Sequence, residues 1–570
     1  MKEQIIFNKW IQHQNISREI KEELLSIKDN NNKIKDRFYK DLEFGTGGLR
    51  GIIGAGTNRI NIYTIAKATR GIGEYILSLG EEGKGRGVVI AYDSRHMSRV
   101  FAKQTALVLC AIGIKTYLFD DLRPTPELSF AVRYLKATAG VVITASHNPP
   151  EYNGYKVYWE DGGQITDQLA DELIVRIKEV NDYLNIEILD EQIAEERNLL
   201  HYIGEEIDTA YINKIKKLSM DTSDKNVKVV YTPIHGTGLI PIRRVLREMN
   251  YNNLHILKSQ EKPDPNFSTV KSPNPEESEA LSLAIEYGKE VDADLVFGTD
   301  PDSDRIGIAV KDNNGKYQLL NGNQTGVLLL NYLLKMNKDK LTDNNVLIKT
   351  IVTSDLGAVI AEDYGVKTIE TLTGFKYIGE KIKEFESTDD NFLFGYEESY
   401  GYLTGTFVRD KDAVISAMLL CEMTNYYKSL KLSLLDVLNE IYEKYGYYKE
   451  HLQSIKLSGL EGSKRIDKIM NYFRDDLNLD IKGFDVEYIN DYKKSISLNM
   501  LIKEENVIQL PKSNVLKYIS VDGSWFALRP SGTEPKLKIY YSVRDVMKSS
   551  VDYKLEQIKA GINHIISIIE

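Results

Sequence analysis

Leu295-Val-Phe-Gly-Thr-Asp300-Pro-Asp302-Ser-Asp304-Arg305 runs an apolar stretch straight into three alternating carboxylates. The apolar half reads as a buried strand. The acidic half reads as the loop at its carboxyl end, where side chains two apart point the same way. Three like charges held so close repel one another unless a cation neutralises them. Hard oxygen ligands suit Mg2+ or Ca2+. A calcium loop of the D-x-[DN]-x-[DN]-G type needs a glycine after the third acid and a glutamate further on, and both are missing here. Asp300, Asp302 and Asp304 are therefore expected to bind magnesium, with a position open to a substrate phosphate.

The pattern of strand then polar loop recurs. Val88-Val-Ile-Ala-Tyr ends in Asp93-Ser-Arg95, and Val141-Val-Ile-Thr runs into Ala145-Ser146-His147-Asn148-Pro149. Val227-Lys-Val-Val-Tyr precedes Thr232-Pro-Ile-His235-Gly-Thr-Gly, and Val346-Leu-Ile-Lys-Thr-Ile-Val precedes Thr353-Ser-Asp355. Short strands alternating with helix-length segments argue for α/β units with parallel sheets. Functional loops in such sheets lie at the carboxyl ends of strands. Units beginning near 88, 227 and 346 form a weak repeat of architecture. Residues 1–40, 62–79 and 100–113 read as helical. The last 120 residues carry scattered strands and a final helix near 549–569, an α+β pattern. The expected fold is α/β: three similar α/β domains with mixed, mostly parallel sheets, plus a C-terminal α+β domain, around a central cleft. The expected domains are 1–215, 216–325, 326–450 and 451–570, with linkers near 205–225, 325–345 and 445–465.

A chain of 570 residues matches four domains at about 150 residues each. Lys+Arg 73 against Asp+Glu 83 gives a net charge of −10. That speaks against a general nucleic-acid binder, while a local basic pocket can still take an anionic substrate. Cys110 and Cys421 lie in apolar stretches and read as buried free thiols. No CxxC pair occurs, and a disulfide framework is excluded. The opening MKEQIIFNKW has no signal-peptide core, and no stretch approaches 18 uncharged apolar residues. No membrane span is expected, and the cytoplasm is the expected compartment.

Three further loops carry chemistry. Thr144-Ala-Ser146-His147-Asn148-Pro149 places a candidate nucleophile at a strand end. Neighbours in a loop rarely face each other, so Ser146 and His147 do not by themselves make a dyad. No G-x-S-x-G elbow is present, which disfavours an α/β-hydrolase. Gly395-Tyr-Glu397-Glu398-Ser399-Tyr-Gly401 offers carboxylates that accept from sugar hydroxyls. Arg529-Pro-Ser531-Gly532-Thr533-Glu-Pro-Lys536 combines an arginine, hydroxyls and a glycine, as a phosphate cradle does. Any one of these could be an ordinary turn. Four such loops, one per expected domain, point to a shared site.

Taken in order, the four loops resemble the signature loops of the α-D-phosphohexomutase superfamily. Phe44-Gly-Thr-Gly-Gly-Leu-Arg50-Gly and the chain length resemble its long phosphoglucomutase/phosphopentomutase branch. The resemblance implies that Ser146 carries a phosphoryl group. It implies that Mg2+ is held by Asp300, Asp302, Asp304 and an oxygen of phosphorylated Ser146. Arg305 would then stabilise the transferring oxygens, and Glu397 and Ser399 would grip sugar hydroxyls. Arg529, Ser531, Gly532 and Thr533 would hold the non-reacting phosphate, and Lys536 is either a helper or solvated. Arg50 and Lys156 match basic residues near the phosphoserine, and Lys376 (Thr373-Gly-Phe-Lys376) one that faces the reacting hydroxyl. Proton transfer falls to Lys156, Lys376 or His147, and His235 reads as structural. The implied activity exchanges glucose 1-phosphate and glucose 6-phosphate through glucose 1,6-bisphosphate, which turns in the cleft as the C-terminal domain opens and closes. Mannose or pentose phosphates, or synthesis of the bisphosphate, would use the same loops. A non-catalytic sugar-phosphate sensor should have lost Ser146 or an aspartate, and this chain keeps them.

Overall fold

Valine- and isoleucine-rich runs become strands here because their branched side chains pack on a pleated, buried surface. The computed structural model describes residues 2–569 apart from 46, 222, 313, 458, 476–478, 480 and 532–535. Its strands in chain order are β1 Gly48–Ile52, β2 Val88–Tyr92, β3 Thr116–Phe119, β4 Ala139–Ile143, β5 Tyr152–Trp159 and β6 Leu200–Ile203. Then follow β7 Val229–Thr232, β8 Leu254–Ile256, β9 Leu295–Thr299, β10 Ile306–Lys311, β11 Tyr317–Leu320, β12 Asn345–Thr350, β13 Lys367–Thr371, β14 Asn391–Glu397 and β15 Gly401–Leu403. The last are β16 Tyr447–Lys456, β17 Val486–Asp491, β18 Ile496–Asn499, β19 Glu504–Val507, β20 Leu516–Ser520, β21 Trp525–Pro530 and β22 Lys536–Asp545. The chain divides into two compact units. One is Met1–Thr325, Asn344–Val346 and Phe375–Ser433; the other is Gly326–Asp343, Leu347–Gly374 and Leu434–Glu570.

The first unit opens with helices Lys2–Gln12, Arg18–Ile27 and Asn31–Phe38. They enclose Phe7, Trp10, Leu24, Ile34 and Phe38, and Trp10 meets Tyr63 edge-on at 5.5 Å. Next is a six-stranded sheet in the order β1-β5-β4-β2-β3-β6. β4, β2, β3 and β6 run parallel, and β1 and β5 join antiparallel at one edge. β2 and β4 are buried along their whole length, as strands covered on both faces must be. The second sheet, β11-β10-β9-β7-β8, has two parallel and two antiparallel joins. It is mixed, as expected, with parallel and antiparallel joins equal in number. Residues 300–305 are too few for a crossover, so β10 must fold back beside β9. β14 and β15 form an antiparallel hairpin in the same unit.

The second unit carries a seven-stranded sheet in the order β16-β22-β21-β20-β17-β18-β19, antiparallel throughout. Helices Gly459–Asp475 and Lys548–Ile568 bury their apolar stripes, including Phe473, Leu555 and Ile562, on it. This is the α+β domain expected at the C-terminus. The unit also keeps a polar network around the buried Lys349 and Lys517. Lys349 on β12 pairs with Asp355 at 2.8 Å and with Glu370 at 2.6 Å. Lys517 donates to the Ile351 carbonyl at 2.8 Å, and the Trp525 indole donates to Asp355 at 2.8 Å. Cys110 and Cys421 are buried free thiols. Among the described residues, no helix is long and apolar enough to cross a membrane.

Candidate active site

The loop after β4 bends sharply. Ser146 has φ 51°, a left-handed conformation that costs an L-residue about 1–2 kcal/mol. Its N–H donates to Thr144 Oγ1 at 2.8 Å, and the residue is only 3% exposed. Ser146 Oγ donates to Asp300 Oδ2 at 2.8 Å and lies 3.1 Å from His147 Nδ1. Serine and histidine do meet here, because the bend at Ser146 folds two neighbouring side chains together. Arg50 Nη1 donates to Asn148 Oδ1 at 3.0 Å, which brings the early glycine-rich stretch to the same loop.

The acidic loop is held from several sides. Its carbonyls at Pro301, Asp302 and Ser303 accept from the N–H groups of Thr237, Thr125 and Ala413, at 2.9, 2.9 and 3.2 Å. Gly236 lies so close that a Cβ there would stand 2.5 Å from Pro301 Cα. Asp300 Oδ1 accepts from the N–H groups of Asp304 and Arg305 at 3.1 and 3.0 Å. Thr125 Oγ1 donates to Asp302 Oδ2 at 2.9 Å. Lys156 Nζ stands 2.7 Å from Asp302 Oδ2 and 3.3 Å from Asp304 Oδ2. Lys411 Nζ is 3.3 Å from Asp304 Oδ2 and 3.1 Å from Asp410 Oδ1.

Asp300, Asp302 and Asp304 are buried, and each offers one oxygen within 4.8 Å of the others. Asp302 Oδ1 and Asp304 Oδ1 are buried without a hydrogen-bond partner among the described residues. Buried carboxylate oxygens are costly unless something satisfies them. Those two oxygens, with one from Asp300, make three hard donors that fit a divalent cation.

The charges settle one another. Burial, then the neighbouring Asp302 and Asp304, push the Asp300 carboxyl well above the usual range. Burial pushes Asp302 the same way, but Lys156 outweighs it and holds Asp302 low. Burial works against Lys156, yet Asp302 and Asp304 raise its pKa and keep the ammonium charged. Burial, helped by Arg305 and Arg50, drives His147 well below its ordinary value, so its imidazole is neutral. Burial opposes the charge on Arg305, but Glu276, Asp304 and Asp300 hold it ionised. Glu276 grips the Arg305 Nη1 directly.

Glu397 ends β14 and is 6% exposed. Its carboxylate raises the pKa values of both Arg305 and Lys411. Ser399 sits in the turn of the β14/β15 hairpin, and the next carbonyl, Tyr400, accepts from the N–H of Ile306 at 3.2 Å. The hairpin is thereby tied to the residue after Arg305. Lys376 pairs with Asp167 at 2.7 Å and lines a cavity of about 240 Å³ with Trp159, Tyr75 and Gln164. Among the described residues, no hydrogen bond or ion pair joins Lys376 to Ser146 or to the three aspartates of the acidic loop. Arg529 and Ser531 belong to the second unit. Arg529 Nη1 donates to the Tyr540 hydroxyl at 3.5 Å, and the Ser531 N–H donates to the Lys536 carbonyl at 2.8 Å. Gly532 and Thr533 lie outside the described residues. His235 is held between the Lys262 carbonyl and Thr269 Oγ1, both at 2.8 Å, which is the structural role expected.

The sequence reading missed Lys411, Thr125, Glu276 and Arg95. Lys411 had a signal. Arg409-Asp-Lys-Asp412 is a charged run between the apolar Val408 and the apolar helix Ala413–Ser429, where solvation of a long charged face is impossible. Gly401 marks the same spot, since a Cβ there would lie 2.1 Å from Lys411 Cδ.

Residues 41–184, 209–315 and 321–445 match the alpha/beta/alpha domains I, II and III of phosphoglucomutase/phosphomannomutase, and residues 485–547 match its C-terminal domain. The chain belongs to the phosphoglucomutase/phosphomannomutase family. It is 41% identical over 509 residues to the phosphoglucomutase of Staphylococcus haemolyticus, covering 89% of this chain and 91% of that protein. It is 40% identical over 512 residues to the phosphoglucomutase of Staphylococcus aureus, covering 90% and 91%. The fold is shared with a phosphoglucomutase/phosphomannomutase family protein from Burkholderia thailandensis, at TM-score 0.66, 18% identity and coverage of 92% and 98%. It is shared also with the Paramecium phosphoprotein parafusin, at TM-score 0.67, 15% identity and coverage of 93% and 96%.

Proposed function

We infer that the protein is an isomerase that interconverts glucose 1-phosphate and glucose 6-phosphate, with Ser146 as the phosphoryl carrier. The observation that carries the reading is the contact of the buried Ser146 hydroxyl with Asp300 at 2.8 Å, beside two carboxylate oxygens that have no hydrogen-bond partner among the described residues. The relatives named phosphoglucomutase, at 41% and 40% identity, support the choice of sugar.

In this reading a phosphoryl group leaves Ser146 Oγ for the 6-hydroxyl of glucose 1-phosphate. The P–Oγ bond breaks, the P–O6 bond forms, the hydroxyl loses its proton and Oγ gains one. Glucose 1,6-bisphosphate turns, and its 1-phosphate returns to Ser146. His147, neutral and 3.1 Å from Oγ, exchanges the serine proton. Lys156 is held charged, so it binds phosphoryl oxygens rather than acting as a base. Arg305, Arg50 and Lys411 add positive potential. Glu397 and Ser399 hold the sugar, and Arg529, Ser531, Gly532 and Thr533 the resting phosphate. Asp300, Asp302 and Asp304 would hold Mg2+, which supplies charge neutralisation to the phosphoryl group when bound. The four-domain partition at 1–215, 216–325, 326–450 and 451–570 belongs to this reading, as does a cytoplasmic setting, which the two buried free thiols support.

The test has two arms. Intact mass of the purified protein should show a fraction heavier by one phosphate, absent in Ser146→Ala. kcat/KM compared on glucose 1-phosphate, mannose 1-phosphate and ribose 1-phosphate should favour glucose. Ordinary turnover by Ser146→Ala ends the phosphoserine mechanism, and a strong preference for mannose or ribose ends the choice of substrate.

A further inference from the structure

Arg95 has no exposed side-chain surface. Its guanidinium donates to four carbonyls of one loop. Nη1 reaches those of Pro149 and Tyr152 at 2.8 and 3.1 Å, and Nη2 reaches those of Ser146 and Asn148. Asp93 pins the arginine from the other side, with 3.4 Å between Arg95 Nε and Asp93 Oδ2. Asp93 Oδ1 in turn accepts from the Arg95 N–H at 2.9 Å and from Ser98 Oγ at 2.6 Å. Ser98 Oγ accepts from Asn153 Nδ2 at 2.9 Å, which closes the ring at the start of β5. The Phe267 ring lies 4.9 Å from the guanidinium carbon and covers it.

Resting on the phosphoryl-carrier role of Ser146, we propose that Arg95 is a positioning residue that locks Ser146 in its left-handed bend and so aims Oγ at the aspartates. A loop that turns back on itself points its carbonyls inward, where they repel one another. A planar guanidinium answers several of them at once with N–H groups along its edges. An ammonium has three donors about one point and cannot span Ser146 to Tyr152. Asp93 supplies a countercharge 3.4 Å from Arg95 Nε. The Arg95 guanidinium spends its hydrogen bonds on these backbone carbonyls and feels Asp302 and Asp300 only through longer-range charge, so its effect should fall mainly on transfer through Ser146.

The experiment incubates wild type, Arg95→Lys and Asp93→Asn with Mg2+ and glucose 1,6-bisphosphate. It follows the phosphorylated fraction by intact mass, with kcat, KM, the Mg2+ concentration for half-activity and Tm. Arg95→Lys should slow phosphorylation and lower kcat by about 100-fold, with KM and the Mg2+ requirement within about twofold of wild type. Asp93→Asn should do the same more mildly, by about tenfold. Adding guanidinium to Arg95→Ala should restore part of the rate. If wild type takes up phosphate and Arg95→Lys does so equally fast, Arg95 has no positioning role. The same holds if kcat, Tm and Mg2+ affinity fall together, which is general unfolding. Should Arg95→Lys fail to fold, Asp93→Asn decides, and a wild-type rate overturns the proposal. A wild type that never gains phosphate overturns instead the carrier role of Ser146, and the proposal with it.

Discussion

Ser146 Oγ donates to Asp300 Oδ2 across 2.8 Å, although the two residues stand 154 positions apart in the chain. The contact joins the loop after β4 of the first sheet to the loop after β9 of the second. Both loops lie at the carboxyl ends of parallel strands, where sheet geometry gathers functional side chains.

Removing the metal should stop turnover. A chelator should abolish activity, and Mg2+ should restore it, while the phosphate on Ser146 measured by intact mass survives the treatment. Asp302→Asn should raise the Mg2+ needed for half-activity by more than about tenfold. Turnover unchanged by chelation would falsify the assignment of a metal to Asp300, Asp302 and Asp304.

Thr125 orients Asp302 through its hydroxyl at 2.9 Å, and its N–H holds the Asp302 carbonyl. Thr125→Val removes only the first of these bonds. It should weaken Mg2+ affinity by about 10- to 100-fold, and Thr125→Ser should recover most of it. A Mg2+ titration of activity on both variants measures this, and equal midpoints would contradict it.

Lys411 stands between Asp304 and Asp410 with its stem against Gly401. Lys411→Met leaves both carboxylates without that cation. Breaking a buried pair in this way costs about 3–5 kcal/mol, so a clear fall in denaturation midpoint should accompany the loss of activity. A midpoint equal to wild type would show that the pair contributes nothing to folding.

Asp412 caps the helix Ala413–Ser429 and accepts from the Tyr211 hydroxyl at 2.7 Å. Burial, aided by Asp410, raises its pKa to about 7. The folded state therefore binds a proton that the unfolded chain, titrating near 3.8, releases earlier. The resulting stability is present in full below about pH 3.8 and declines as pH rises to about 7, above which it is lost. Asp412→Asn keeps a cap acceptor and removes the titration. Denaturant unfolding at pH 5 and pH 8 should show the variant gaining on wild type at the higher pH. A constant difference between the two would count against the shift.

The strand-end loops could be read from the chain because each is short and local. Apolar β-branched runs have one way to be buried, and three carboxylates within five residues have few reasons to exist without a cation. Asp300, Asp302, Asp304, Ser146, Lys156 and Arg305 were found that way or by likeness, and they lie within one connected cluster. Mixed sheets were expected, but which strand of the second sheet turns back was not read, because strand direction follows from loop length at β9–β10 and not from the composition of either strand.

Sequence by itself determined which elements form and which loops are too polar to be ordinary turns, since local burial and charge repulsion act over a few neighbouring residues. Tertiary structure alone decided which distant groups complete those loops. Thr125, Ala413 and Thr237 reach the acidic loop from three separate segments, and Arg95 gathers four carbonyls that no pattern announces. Backbone donors and carbonyls look alike at every position in a sequence. Only the packed chain shows where they converge, because hydrogen bonds of about 3 Å are set by the fold and not by residue type.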